Sequence, residues 1–156
     1  MTLPRLRHVS HFVGLPPDQK QALLGALFLI PAFAVGLPLF GFRRCRVWAT
    51  ACASRRPPAD GDVIRICRRY AQLVYWAARF GVWRGNCLSR SLTLCRLLHQ
   101  RAMPAQLLIG VRRSEASVEA HAWVEVNGVP VNDMPNVAQH FAPFAALVDV
   151  SPLTFV

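Results

Sequence analysis

The sequence predicts a single α+β domain in which a cysteine-bearing helix packs on a small antiparallel sheet, with an additional apolar helical region in front. Three observations predict it. A chain of 156 residues is enough for one core and too short for two. With hydrophobic residues at 53% and charged residues at 17%, that core can be sizeable, and a disordered chain is excluded. The apolar period is helical as far as about Arg101 and becomes extended after Pro104. We place the boundary between the amino-terminal region, residues 1–60, and the main domain, residues 61–156, in the turn-rich SRRPPADGD of Ser54 to Asp62.

The uncharged run from Ala22 to Phe42 is as long as a membrane span, for which ~20 residues suffice. Pro31 and Pro38, with Gly25, Gly36 and Gly41, argue for two short helices laid over the core, the first capped by Asp18 and the second followed by Arg43, Arg44 and Arg46. Peripheral membrane contact stays open. After the turn, Asp60 or Asp62 caps a helix over Val63 to Phe80, whose Ile66, Tyr70, Leu73, Val74 and Ala77 form one buried stripe. Its arginines take the other face. GVWRGN at Gly81 to Asn86 then interrupts before a leucine-rich, mostly buried helix from Cys87 to about Arg101. Three antiparallel strands follow, in AQLLIGV, AHAWVEV and VPVND, the last two joined at Asn127-Gly128. The tail from Met134 onward reads as irregular cover or an edge strand.

The formal charge is +10, carried almost wholly by arginine, with Lys20 the one lysine. Anionic partners suit such a chain, yet evenly spread guanidinium groups carry no nucleic-acid signal, so no nucleic-acid partner is assigned. Cys45, Cys52, Cys67, Cys87 and Cys95 contain no C-x-x-C pair, and the five histidines are not spaced from them as metal ligands. No metal or other cofactor is expected. The start, MTLPRLRHVS, lacks the features of a secretory signal, which makes a cytoplasmic protein with reduced thiols the expectation.

Cys87 stands out by position, because it follows Gly85 and Asn86 where a loop enters a buried helix. Unpaired backbone N–H groups and the positive helix end stabilise a thiolate there, and the same groups can receive an oxyanion. The Cys87 N–H and Asn86 are the candidate donors. Cys67 and Cys95 lie among apolar neighbours and read as packing. A thiol nucleophile needs a base and an orienting group. His121 is the candidate base, and strand alternation puts it with Trp123 and Glu125 on one face. Asp133 is the candidate orienting group, and register decides its reach. A tight Asn127-Gly128 turn pairs His121 with Met134 and leaves Asn132 better placed than Asp133. A three-residue loop with a bulge pairs Glu125 with Val129 and sets His121 opposite Asp133. The second register is expected.

The order Cys, His, Asp, on a helix and then on adjacent strands, resembles the transglutaminase-like and papain-like cysteine protease fold. More narrowly, WRGNCLSRSLTLCRLL at Trp83 to Leu98, LLIGV at Leu107 to Val111 and HAWVEVNGVPVND at His121 to Asp133 resemble the microcin-processing proteases of lasso-peptide maturation. That resemblance implies a leader peptidase, with Cys87 as nucleophile, His121 as base and then acid, and Asp133 as orienting carboxylate. The implied partners are a precursor peptide, a separate winged-helix leader-recognition protein and a lasso cyclase that takes the freed core peptide. The short apolar amino-terminal region matches the stand-alone protease form, docking its partner on an exposed apolar or arginine-bearing face. Trp83, Trp123 and Arg90 are candidates for the substrate groove. The competing readings are a thioester-forming acyltransferase or transglutaminase, and a non-enzymatic basic adaptor for nucleic acid or membrane.

Overall fold

The computed structural model describes residues 14–51, 62–113 and 118–143. Helix α1 covers Pro17–Thr50, α2 Val63–Phe80 and α3 Cys87–His99. Strands β1 (Ala105–Arg113), β2 (Val118–Val126) and β3 (Val129–Pro130), a short helix α4 (Val137–His140) and β4 (Ala142–Pro143) complete the chain. Together the strands make a four-stranded antiparallel sheet in the order β3-β2-β1-β4. The α+β expectation holds, and the tail does contribute an edge strand.

Helix α1 breaks at Gly41 (φ 79°, ψ 163°), while Pro31 and Pro38 lie inside the helix. Of the breaks that the sequence offers, Gly41 is the one that separates the two segments, and the prolines do not. A proline removes one ladder bond and bends a helix, but a reversal needs the left-handed backbone that glycine reaches without strain. Beyond Gly41 the chain doubles back. Phe33 meets the Trp48 ring at 4.8 Å, and Gly36 lies against the Cys45 sulfur. Arg43, Arg44 and Arg46 thus sit within this second arm and do not follow it. Asp18 makes no cap. Its carboxylate instead accepts from the Tyr70 hydroxyl at 3.2 Å and from Arg101 at 3.4 Å, tying α1 to α2 and to the end of α3.

One hydrophobic cluster joins all three helices to the sheet. It includes Ala26, Ile30 and Phe33 from α1, Tyr70, Leu73 and Ala77 from α2, Leu92, Leu94 and Leu98 from α3, and Val124 and Val126 from β2. Small residues at Ala22, Gly25 and Ala26 let α1 approach α3 closely, with Leu97 in contact at Gly25. Helix α3 is buried nearly all round, as its leucines require, and even Ser89, Ser91 and Thr93 are solvent-free. It ends where Ala102 turns left-handed (φ 55°) and the Met103 N–H returns to the Leu98 carbonyl, just ahead of Pro104. The opposite side of α1 is apolar but uncovered. Leu24, Phe28, Val35 and Leu39 recur there at four- and seven-residue spacing. By length and composition alone this helix could cross a membrane, with 22% of its most apolar window buried within the protein.

The sheet departs from the expected register. Val126 pairs with Val129 and Glu125 with Pro130, which leaves a two-residue Asn127-Gly128 turn with both residues left-handed (φ 52° and 75°). Asn-Gly suits this turn because both central positions need positive φ, and its twist matches that of the strands. The bulged three-residue loop does not form.

Candidate active site

Extended by simple pairing, the tight turn would put Asp133 on the wrong face. The strand does not extend. After Val131 donates its N–H to the Val124 carbonyl, the Asn132 side chain stands in for the Val131 carbonyl, accepting the Val124 N–H on Oδ1 at 2.7 Å. The main chain is thereby released from the ladder, and Asp133 turns to His121. Nε2 of His121 meets Oδ2 of Asp133 at 2.5 Å, and Oδ1 of the same carboxylate accepts the Met134 N–H at 2.8 Å. The contact expected between His121 and Asp133 is present, by a route that the expected register did not contain. Asn132, the alternative orienting group for a tight turn, is spent on the backbone.

His121 is held on both sides. Its ring lies 4.9 Å from Phe141 and 6.3 Å from Trp123, to which it is stacked. The strand partner of His121 is Gly110, where any Cβ would come within 3.0 Å of Phe141, the Ala142 carbonyl and the Trp123 ring. A glycine is needed there to let β4 and Trp123 close in. With Nε2 engaged by Asp133, Nδ1 is the ring nitrogen that remains for an approaching thiol.

Cys87 is the first residue of α3 and is partly exposed. Asn86 caps the helix, its Oδ1 accepting the Ser89 N–H at 2.8 Å while its carbonyl receives the Arg90 N–H at 3.2 Å and the Ser89 hydroxyl at 3.1 Å. The turn into this cap depends on Gly85, left-handed at φ 60°, where a Cβ would stand 2.7 Å from both Ile30 Cγ2 and Ser89 Oγ. Gly85→Ala should combine left-handed strain of ~1–2 kcal/mol with overpacking of ~1–3 kcal/mol. A fall in Tm of roughly 4–20 °C in a thermal melt is the expected result.

A cavity of about 280 Å³ brings these pieces together. Cys87, Arg90, Ser91 and Leu94 of α3 line it with His121, Ala122, Asn132 and Asp133, and Ala71, Val74 and Tyr75 of α2 form the remaining wall. Arg90 contributes to the wall and donates from Nε to the Asn86 carbonyl at 3.3 Å. The two tryptophans do not join it. Trp123 is wholly buried and donates its indole N–H to Glu125 at 2.8 Å, which corrects its assignment to a substrate groove. Trp83 is half exposed in the loop before α3 and is not among the residues that line the cavity. Tyr75, Ser91 and Phe141 were not singled out from sequence. Only Ser91 carried a usable signal there, one helical turn after Cys87.

The other described cysteines differ in kind. Burial pushes the Cys67 thiol up to about 11 and the Cys95 thiol to about 12, and it raises Cys45 as well, so all three stay protonated at neutral pH. Cys52 lies outside the described residues. Among the described residues no group of three or more His, Cys, Asp or Glu side chains could hold a metal ion.

Cys87 at the start of α3, His121 on β2 and Asp133 on the chain beyond β3 thus line one cavity. The chain belongs to the transglutaminase-like superfamily, whose family model matches residues 26–146. It is also similar to the microcin J25-processing protein McjB of Escherichia coli, at 36% identity over 66 residues, covering 42% of this chain and 31% of that protein. No solved structure matches this chain.

Proposed function

We propose that this chain is a cysteine peptidase that removes the leader from a ribosomally made lasso-peptide precursor. The observation that carries this reading is the convergence of Cys87, His121 and Asp133 on one cavity, with His121 bound to Asp133 through Nε2. Asp133 accepts the Nε2 proton and so keeps Nδ1 as the basic nitrogen. The Cys87 proton passes to Nδ1, and the sulfur attacks the carbonyl at the leader–core junction. Negative charge on the tetrahedral oxygen falls near the Cys87 backbone N–H at the start of α3, with Asn86 beside it. His121 returns the proton to the leaving amine, releasing the core peptide, and water then hydrolyses the leader thioester.

A separate leader-recognition protein brings the precursor, and a cyclase takes the freed core amine. For the first of these, the uncovered side of α1 offers a contact surface. Phe28 and Leu39 there are 75% and 68% exposed, on a helix with no charge between Lys20 and Arg43. The setting is cytoplasmic, where thiols remain reduced.

The test mixes the chain with a lasso precursor peptide and its leader-binding partner and follows product masses. Hydrolysis yields two fragments whose masses sum to the precursor plus one water. A single joined species would instead mark the chain as an acyltransferase, and an unchanged precursor would remove the peptidase reading.

A further inference from the structure

Three stretches of chain meet at the cavity, and one string of hydrogen bonds ties them together. The Ser91 hydroxyl on α3 donates to the Ala122 carbonyl of β2 at 3.0 Å and accepts from Nδ2 of Asn132 at 3.1 Å. Oδ1 of Asn132 takes the Val124 N–H at 2.7 Å. Each anchor stands next to a residue of the proposed chemistry. Ser91 lies one turn after Cys87, Ala122 follows His121, and Asn132 precedes Asp133.

The donors and acceptors match one for one. Val124 presents its N–H and its carbonyl toward β3, so Ala122, two residues along the strand, turns its carbonyl to the same side. With β3 gone at that point, this carbonyl would face the cavity unpaired. Ser91, fully buried, satisfies it and spends its only proton there. Asn132 must then donate to Ser91 while accepting from Val124, which takes an amide with a fixed orientation.

We propose that Ser91 and Asn132 are positioning residues that clamp α3, β2 and the chain after β3 into the arrangement in which Asp133 reaches His121 beside Cys87. The clamp rests on the peptidase reading above. It acts through the relative placement of the three segments, without touching substrate. Without Asn132 the chain after Val131 loses its anchor on β2, and without Ser91 the start of α3 loses its tie to the strand that carries His121.

Iodoacetamide alkylation of Cys87 in the full-length protein, followed on the Cys87 peptide by mass spectrometry across pH, tests the clamp. Ser91→Ala and Asn132→Ala are suitable because both are uncharged. The titratable and charged groups lining the cavity with the thiol, Tyr75 of α2, Arg90 of α3, His121 of β2 and Asp133, all remain. At neutral pH the wild-type Cys87 thiol should be alkylated faster than the free thiol of glutathione under the same conditions. In each alanine variant that rate should fall severalfold, toward the glutathione rate. Ser91→Thr, which keeps the hydroxyl, should restore the wild-type profile. Thermal melts identify any variant that fails to fold, and the two alanine substitutions are independent of each other. A wild-type profile in a folded alanine variant would overturn the clamp while leaving the peptidase reading intact. A wild-type Cys87 alkylated no faster than glutathione would overturn both.

Discussion

Cys87→Ala should abolish leader release, with the rate falling by about 10⁶-fold, as when the nucleophile of a catalytic unit is removed. The fold should survive the change. Cys87 is partly exposed at the first position of α3, and the cap that starts the helix is made by Asn86, Gly85 and Ser89. The melting temperature should therefore move little, since substitutions away from packed or hydrogen-bonded groups stay within about 0.5 kcal/mol. Cys67 and Cys95 cannot substitute for the lost thiol, because burial keeps both protonated and inside the core. A variant retaining cleavage would leave the chain as an adaptor in precursor processing.

Asp133→Asn should lower kcat by about 10⁴-fold with KM little changed, the scale expected when an orienting carboxylate is replaced by its amide. The reason lies in the tautomer. In the proposed mechanism Asp133 accepts the Nε2–H of His121, so that Nδ1 is the nitrogen that takes a proton from the thiol. An asparagine at the same place can donate to Nε2, and the ring then carries its proton on Nδ1, facing the sulfur with the wrong end. Size and shape are nearly unchanged, and the Met134 N–H can still bond to the amide oxygen. Steady-state kinetics on a precursor peptide separate this loss of chemistry from a loss of binding. A fall in kcat/KM arising wholly from KM would mean that Asp133 contacts substrate and does not orient His121.

Much of this was legible from local signals. The α2 stripe, the cap at Asp62 and the leucine-rich burial of α3 follow from helical spacing and punctuation, and each is where the spacing puts it. The strands were equally plain in their alternation. What local pattern could not supply was the competition between neighbours. Pro31 and Pro38 look like the strongest breaks in α1, yet the reversal comes at Gly41, because bending a helix and turning it back need different backbone angles. The hairpin shows the same thing at the site. Asn127-Gly128 forms the tight turn that its residue types favour, and counting pairs from that turn separates His121 from Asp133. The count fails after Val131, since the Asn132 side chain replaces a backbone acceptor and lets the chain leave the sheet. No pattern of apolar and polar residues marks such an exchange. It becomes visible only when each hydrogen bond of Val124 and Ala122 is followed to its partner.

The most direct measurement is the mass of the protein itself during turnover. Wild-type chain, precursor and leader-binding partner are quenched in acid within the first turnover and digested, and the Cys87 peptide is weighed. The account predicts a peptide heavier by the leader acyl group, joined through a thioester to the Cys87 sulfur, with the core peptide already released carrying a free amine. Leader release in the same reaction with Cys87 unmodified at every time point, or with the acyl group on another residue, would contradict it.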